Sequence, residues 1–356
     1  MPSAFPKPNP MPSKMTPERR TRILFNTDVP YRLTAEEVAG IQAACPGAEI
    51  VQAGVAGSGK EDADLRDVNI IITDLQVPAD LKQCPNLRWV QLVSAGANQI
   101  TSHPLAETDI PVTTSSGLHG VPIAQFVTGT LLMLVHRLPQ LGAIQASRRW
   151  PEGRWDLRAS VLRGQTAGIL GYGSIGRECA RQLHALGLRI LALDPAGKRD
   201  EGYNIWPGTG DREGSLPERW FKPAEVREML PLCDVLVVAA PLTPQTSGMI
   251  GAAELALARP GLRLIIISRG GIVAERALAD ALISGRVAGA AVDCYEQEPP
   301  PPDHFFYDVP NLIMTPHMAG AFEGFWPAMI QLFTENLRRF HRGEALLNQA
   351  NKRLGY

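Results

Sequence analysis

The stretch that most constrains this chain runs from Thr166 to Asp194, TAGILGYGSIGRECARQLHALGLRILALD. Ala167 to Leu170 reads as a short buried strand. Gly171, Gly173 and Gly176 follow as G-x-G-x-x-G, with Ser174 and Ile175 between the last two. A helical pattern continues to about Leu186, where Gly187 suits a C-cap, and a second apolar run, Leu188 to Leu193, ends at Asp194. Strand, glycine turn, helix, strand and acid in that order form the context in which the motif has a mechanism. The first glycine permits the tight turn, the second lets backbone approach a pyrophosphate, and the third lets helix and strand pack closely. Free N–H groups at the helix start then face the phosphates.

Asp194 lies about twenty residues past the motif, where an acid accepts from the ribose hydroxyls of NAD. A 2′-phosphate would meet like charge there, so the sequence predicts NAD over NADP. Lys198 and Arg199 follow closely. By themselves they read as a solvated basic turn; folded back, they would offset the repulsion and admit both cofactors.

A length of 356 residues suggests two domains, and a net charge of −1 gives no reason to expect a nucleic-acid or membrane partner. Cys45, Cys84, Cys179, Cys233 and Cys294 form no C-x-x-C pair and no zinc spacing. Such a scattered set suits free thiols in a reducing compartment, hence a cytoplasmic protein with no metal site. Residues 1–22 carry six prolines and a basic balance, and are expected to be a disordered extension without a targeting signal. Ile123 to Leu138 is apolar but short for a bilayer, so a buried helix that could connect two domains is expected. His119 just before it reads as a cap or packing residue.

Apolar runs alternate with helical patterns along the rest of the chain, which predicts parallel, doubly wound sheets. The strands expected are Ile23–Phe25, Ile70–Thr73, Leu87–Val93, Val112–Thr114, Val235–Ala239, Leu264–Ser268, Ala288–Val292 and Leu312–Thr315. Residues 195–223 read as one long loop flanking the adenosine end of the cofactor. Ligands sit at the carboxyl ends of such strands, and Arg269, Asp293 and His317 all fall there.

Three segments carry the chemistry: Ser268-Arg269-Gly270-Gly271, Asp293-Cys294-Tyr295-Glu296-Gln297-Glu298-Pro299, and Thr315-Pro316-His317-Met318-Ala319-Gly320. Singly, each has an ordinary structural reading. In this order behind a dinucleotide fold, they resemble the D-isomer-specific 2-hydroxyacid dehydrogenases. The likeness extends from about Leu87 to Phe325, through the glycine loop Ser94-Ala95-Gly96 and Pro241-Leu242-Thr243. It implies two Rossmann-like domains, with the cofactor domain (119–320) inserted into a discontinuous substrate domain (23–118 and 321–356). It also implies a cleft that closes over the reactants, and a homodimer built on the cofactor domains.

The resemblance further implies site roles. Arg269 would bind the substrate carboxylate and polarise its 2-oxo group, with the amides of Ala95 and Gly96 holding the same carboxylate. His317 would exchange a proton with the substrate oxygen, and Glu298 would orient the imidazole and favour its charged form. Gly171, Gly173, Ser174, Ile175, Gly176, Asp194, Pro241, Thr246, Ser268, Asp293 and Gly320 would surround the cofactor, Asp293 at the nicotinamide amide. The implied activity is NAD-dependent interconversion of a 2-oxo acid and its D-2-hydroxy acid. Glutamate at 298, where formate dehydrogenases of the superfamily have glutamine, argues against formate oxidation.

The chain departs from the family pattern at Ile266, where asparagine is usual, and at Ile123-Ala124-Gln125, where V-A-E is common. A second reading is a non-enzymatic, NAD(H)-sensing corepressor on the same fold, disfavoured because long regulatory extensions are not seen. A third reading, phosphoglycerate dehydrogenase, is weakened because no C-terminal regulatory domain follows Tyr356, though short forms exist. The sequence does not name the 2-oxo acid.

Overall fold

A computed structural model describes residues 20–27, 31–53, 64–74 and 77–356; most of the expected N-terminal extension, residues 1–19, lies outside the described residues. The chain divides into two compact units, residues 1–118 with 323–356, and residues 119–322.

The first unit is built on β1 (Arg22–Asn26), α1 (Ala35–Ala44), β2 (Glu49–Gln52), β3 (Ile70–Thr73), β4 (Trp89–Leu92) and β5 (Val112–Thr113). All strand pairs are parallel, in the order β2-β1-β3-β4-β5. Helix α1 starts on a capping box. Thr34 accepts from the Glu37 N–H, and the Glu37 carboxylate accepts from the Thr34 N–H. Strand β2 was not expected; its pattern is only half apolar, and pairing to β1 defines it.

The second unit carries α2 (Gly120–Val135), α3 (Leu138–Ala146), β6 (Thr166–Leu170), α4 (Ser174–Ala185), β7 (Arg189–Leu193), β8 (Pro217–Phe221), α5 (Val226–Met229), β9 (Val235–Val238), α6 (Ala252–Leu257), β10 (Leu262–Ile266), α7 (Glu275–Ile283), β11 (Val287–Val292) and β12 (Leu312–Met314). Its seven strands are parallel, ordered β12-β11-β10-β9-β6-β7-β8. The order reverses between β6 and β9, which is where a doubly wound sheet opens a ligand crevice at its carboxyl edge. Strands β6 and β9 are buried throughout, which explains their unbroken apolar runs.

The closing helix α8 (Phe325–Arg342) returns to the first unit. There Phe333 stacks on the fully buried Trp89, with ring centroids 5.1 Å apart, and the Trp89 indole N–H donates to Thr113 Oγ1 at 2.8 Å.

Two expectations are corrected. The long apolar helix runs from Gly120 to Val135, not from Ile123 to Leu138. It ends where Arg137 turns left-handed (φ 54°), and α3 begins at Leu138. Ile123, Ala124, Val127, Leu131 and Val135 face the core of the second unit, so it is a core helix of that unit. No single helix among the described residues is long and apolar enough to cross a membrane. Residues 195–223 are not one loop: Pro217–Phe221 forms β8, which pairs with β7 at the sheet edge. Proline opens this strand, a position where the missing N–H is tolerated, and the proline and charges hide it from an apolar-run reading.

The remaining crossover, 195–216, is tied down by buried polar contacts. Tyr172, inside the glycine motif, donates its hydroxyl to Asp211 at 2.7 Å. Arg177 of α4 is 1% exposed and donates to the carbonyls of Asp211 and Arg199. Glu178 accepts from the Gly210 N–H at 2.7 Å.

Candidate active site

The glycine turn fits a dinucleotide on three observations. Gly171 sits at φ +92° and a Cβ there would lie 2.6 Å from the Ala240 backbone, so the turn packs directly on the chain leaving β9, just before Pro241. A Cβ on Gly176 would meet the Gly171 carbonyl at 2.1 Å, whereas one on Gly173 meets nothing within 4 Å among the described residues, which leaves open the approach where a pyrophosphate passes. Helix α4 starts at Ser174 with no side-chain cap, so its first N–H groups keep their donors for an anion. Thr246 closes the segment after β9 by donating its hydroxyl to the Pro241 carbonyl at 2.6 Å.

Asp194 follows β7 as expected and is buried. Its carboxylate accepts from the Tyr172 N–H at 3.1 Å and the Ala196 N–H at 2.9 Å. It also pairs with Arg199, whose Nη1 lies 2.6 Å from Oδ1. Of the two basic residues behind Asp194, Arg199 is therefore folded back onto the acid.

At the carboxyl ends of β10, β11 and β12 the three chemical segments converge. His317 Nδ1 lies 2.7 Å from Glu298 Oε2, and the other oxygen, Oε1, accepts from the Tyr295 N–H at 2.9 Å. The carboxylate is thus oriented from both sides. His317 itself takes φ 53°, a left-handed conformation uncommon for a non-glycine residue. Asp293, 1% exposed, brackets it: Oδ1 accepts from Thr315 Oγ1 at 2.6 Å and from the Met318 N–H at 2.8 Å, and Oδ2 from the Ala319 N–H at 2.9 Å. Those bonds on either side hold a backbone shape that local sterics oppose. Gly320 ends this turn, and its carbonyl is 3.1 Å from His119 Nδ1. His119 is the N-cap of α2 but makes no side-chain cap bond there, so its role is packing rather than capping.

Arg269 follows β10. Its Nη1 donates to the Ser268 carbonyl at 2.7 Å. Ser268 Oγ is buried with no partner among the described residues, an orphaned hydroxyl beside the arginine that suits a bound cofactor group. Gly270 has no room for a side chain, since a Cβ there would lie 2.0 Å from the Tyr295 carbonyl carbon. The Arg269 loop and the Glu298 loop therefore touch backbone to backbone. Ile266, at the family's asparagine position, is buried in the apolar core and supports this loop by packing.

Cys294 lies between these groups. Its thiol donates to the Ser268 carbonyl at 3.3 Å and stands 3.7 Å from His317 Nε2. Burial pushes the thiol up to about 12, with Asp293 adding to the rise and Arg269 opposing it.

Ala95 and Gly96 belong to the other unit, in the turn after β4. Ser94 Oγ donates to the Gly96 carbonyl at 2.7 Å, and Ala97 N–H donates to the Gly355 carbonyl at 2.9 Å. The N–H groups of Ala95 and Gly96 take no partner among the described residues, as an anion-accepting turn requires.

Residues that sequence reasoning did not single out are Gly270, Tyr295, Cys294, Tyr172 and Asp211. Cys294 and Gly270 lie inside the quoted motifs, but nothing in their spacing shows what they touch.

Residues 128–319 match the family model for the D-isomer specific 2-hydroxyacid dehydrogenase NAD binding domain. The chain is 28% identical over 79% of its length to D-3-phosphoglycerate dehydrogenase of Archaeoglobus fulgidus, spanning 51% of that protein. It is 28% identical over 80% of its length to hydroxypyruvate reductase of Blautia hydrogenotrophica, spanning 86% of it. The chain thus spans about half of the phosphoglycerate dehydrogenase but most of the hydroxypyruvate reductase. Among solved structures, a D-isomer specific 2-hydroxyacid dehydrogenase from Xanthobacter autotrophicus Py2 in complex with NADPH and MES matches with a TM-score of 0.77 and 26% identity, covering 95% of this chain and 100% of that one.

Proposed function

This chain belongs to the D-isomer specific 2-hydroxyacid dehydrogenase family, and on that premise we propose that it interconverts a small 2-oxo acid and its D-2-hydroxy acid, in the manner of a glyoxylate/hydroxypyruvate reductase or a broader 2-oxo acid reductase. The observation that carries the reading is the Glu298–His317 pair at 2.7 Å beside the Arg269 loop.

A carboxylate only accepts, so His317 donates Nδ1–H to Glu298, and Nε2 is left to exchange a proton with the substrate oxygen. Glu298, anchored by the Tyr295 amide, holds the ring's orientation through that exchange. The permanently charged fork of Arg269 suits both a carboxylate and a 2-oxo group. When bound, NAD(P)H supplies the hydride for the 2-oxo carbon. In the first unit, the open amides of Ala95 and Gly96 offer a small carboxylate two donors.

For cofactor choice, the Arg199–Asp194 contact offsets the negative charge that a 2′-phosphate would meet. The reading is therefore acceptance of both NADH and NADPH, rather than the NADH preference that Asp194 alone predicts. The same reading extends to a homodimer. Leu138, Leu141, Trp150, Trp155 and Val161 are exposed within one segment of the cofactor unit, Trp150 at 83%, and large apolar side chains left in water favour self-association.

The test is loss of nicotinamide absorbance with purified protein and a panel of 2-oxo acids, each with NADH and NADPH. Turnover with at least one 2-oxo acid is expected. Cofactor binding without turnover of any panel member, glyoxylate and hydroxypyruvate included, counts against the reading.

A further inference from the structure

The geometry points to a zinc-binding site formed by Cys294 Sγ and His317 Nε2, through which zinc reversibly blocks the proton-exchanging atom. Ligand atoms of Cys294, His317 and Glu298 lie within 4.8 Å of one another. The decisive separation is Sγ to Nε2, 3.7 Å. Tetrahedral zinc with ordinary Zn–S and Zn–N bond lengths holds its sulfur and nitrogen about 3.6 Å apart. The two atoms are thus already at coordination spacing, with no side-chain rearrangement needed to bring them together.

Glu298 completes the arrangement from the far side of the ring. It accepts from His317 Nδ1 at 2.7 Å, which fixes the tautomer that leaves the Nε2 lone pair available. A carboxylate behind a histidine is the usual outer partner of a zinc-bound imidazole. His317 is partly exposed, its side chain at 43%, and Cys294 is buried, so the imidazole is the side from which an ion enters.

The chemistry balances simply. The Cys294 thiol proton, now given to the Ser268 carbonyl, passes to solvent as the Zn–S bond forms. Nothing is oxidised or reduced, and a chelator reverses the step. Zinc on Nε2 removes the lone pair needed to take a proton from the hydroxy acid and prevents protonation for the reverse direction. Binding stands on the geometry alone; inhibition rests on the dehydrogenase reading above.

Cobalt is the spectroscopic probe. Chelator-stripped full-length protein is titrated with Co²⁺ under anaerobic conditions and the near-ultraviolet thiolate-to-cobalt band is recorded. One equivalent of band intensity is expected, lost on zinc addition and absent in Cys294→Ala, in the near-isosteric Cys294→Ser and in His317→Gln. Circular dichroism and NAD(P)H binding report whether these variants fold. In parallel, zinc is expected to slow 2-oxo acid reduction by the wild type at least tenfold, with recovery on chelation, and to slow Cys294→Ser far less. No cobalt band in the wild type, an undiminished band in Cys294→Ala, or equal zinc sensitivity in Cys294→Ser overturns the site. Absence of any reductase activity in metal-free buffer, with the cobalt band present, overturns the dehydrogenase reading and leaves the site standing.

Discussion

Gly270 packs against the backbone of Tyr295 so closely that a Cβ would lie 2.0 Å from the Tyr295 carbonyl carbon and 2.1 Å from its oxygen. The residue after Arg269 is thereby pressed against the residue whose N–H anchors Glu298. Backbone cannot yield as a flexible side chain does, so Gly270→Ala must separate the two loops. We expect destabilisation of about 1–3 kcal/mol, typical of overpacking, with a fall in kcat larger than the loss of folded protein explains. Thermal melts beside steady-state rates measure both. Wild-type rates would show that the loops need not touch.

Arg269→Lys retains charge but not the two-pronged geometry. Losing one charge-assisted bond to the 2-oxo acid is expected to cost on the order of tenfold to a hundredfold in kcat/KM. Affinity for NAD(P)H, measured by fluorescence titration, should stay within a few-fold. A large change in cofactor affinity with unchanged kcat/KM would move Arg269 from substrate to cofactor recognition.

His317→Ala should lose on the order of 10² to 10⁴ in turnover, the usual weight of a general acid–base group. Glu298→Gln keeps a hydrogen-bond acceptor near Nδ1 but loses the charge. A smaller loss, with folding and cofactor binding intact, is expected. Equal, negligible effects of both substitutions would remove the pair from the mechanism.

Arg199→Ala frees Asp194 from its ion pair at 2.6 Å. NADPH use should fall and NADH use should hold or improve, so the NADH-to-NADPH ratio of kcat/KM rises. Asp194→Ala should move the ratio the other way. An unchanged ratio in Arg199→Ala would mean that the arginine does not reach the cofactor phosphate.

Burial raises the thiols of Cys84, Cys179, Cys233 and Cys294 above their usual value of 9.0, those of Cys233 and Cys294 to about 12. Burial also raises the phenols of Tyr31, Tyr172 and Tyr295. These groups stay protonated in the folded chain where the unfolded chain releases its protons. Their contribution is complete below the unfolded thiol value and is lost as pH rises toward the folded values. Lys352, lowered chiefly by burial, opposes this and is outnumbered. Urea midpoints should therefore fall between about pH 9 and pH 11. A flat profile over that window would contradict the burial of these groups.

The Rossmann character of the second unit was legible because its determinants are local. A glycine at φ +92°, buried strands and a helix whose start lacks a side-chain cap leave marks on neighbouring residues. The Arg269, Glu298 and His317 segments were legible as a constellation, since each follows a strand and parallel strands bring their carboxyl ends to one edge. Strand β8 was not legible, because an edge strand opening on proline and carrying Glu218 and Arg219 lacks the apolar run of a central one. Asp194 could be read as the ribose acid, but its pairing with Arg199 depends on how the crossover folds back, and that crossover is held by Tyr172, Arg177 and Glu178. Likewise, no spacing in the chain shows Cys294 beside His317 Nε2 or Gly270 against Tyr295. Residue type and local order determined which chemistry the chain carries. Contacts between segments distant in sequence, set by strand order and loop packing, decided which charges meet and which atoms are left free to react.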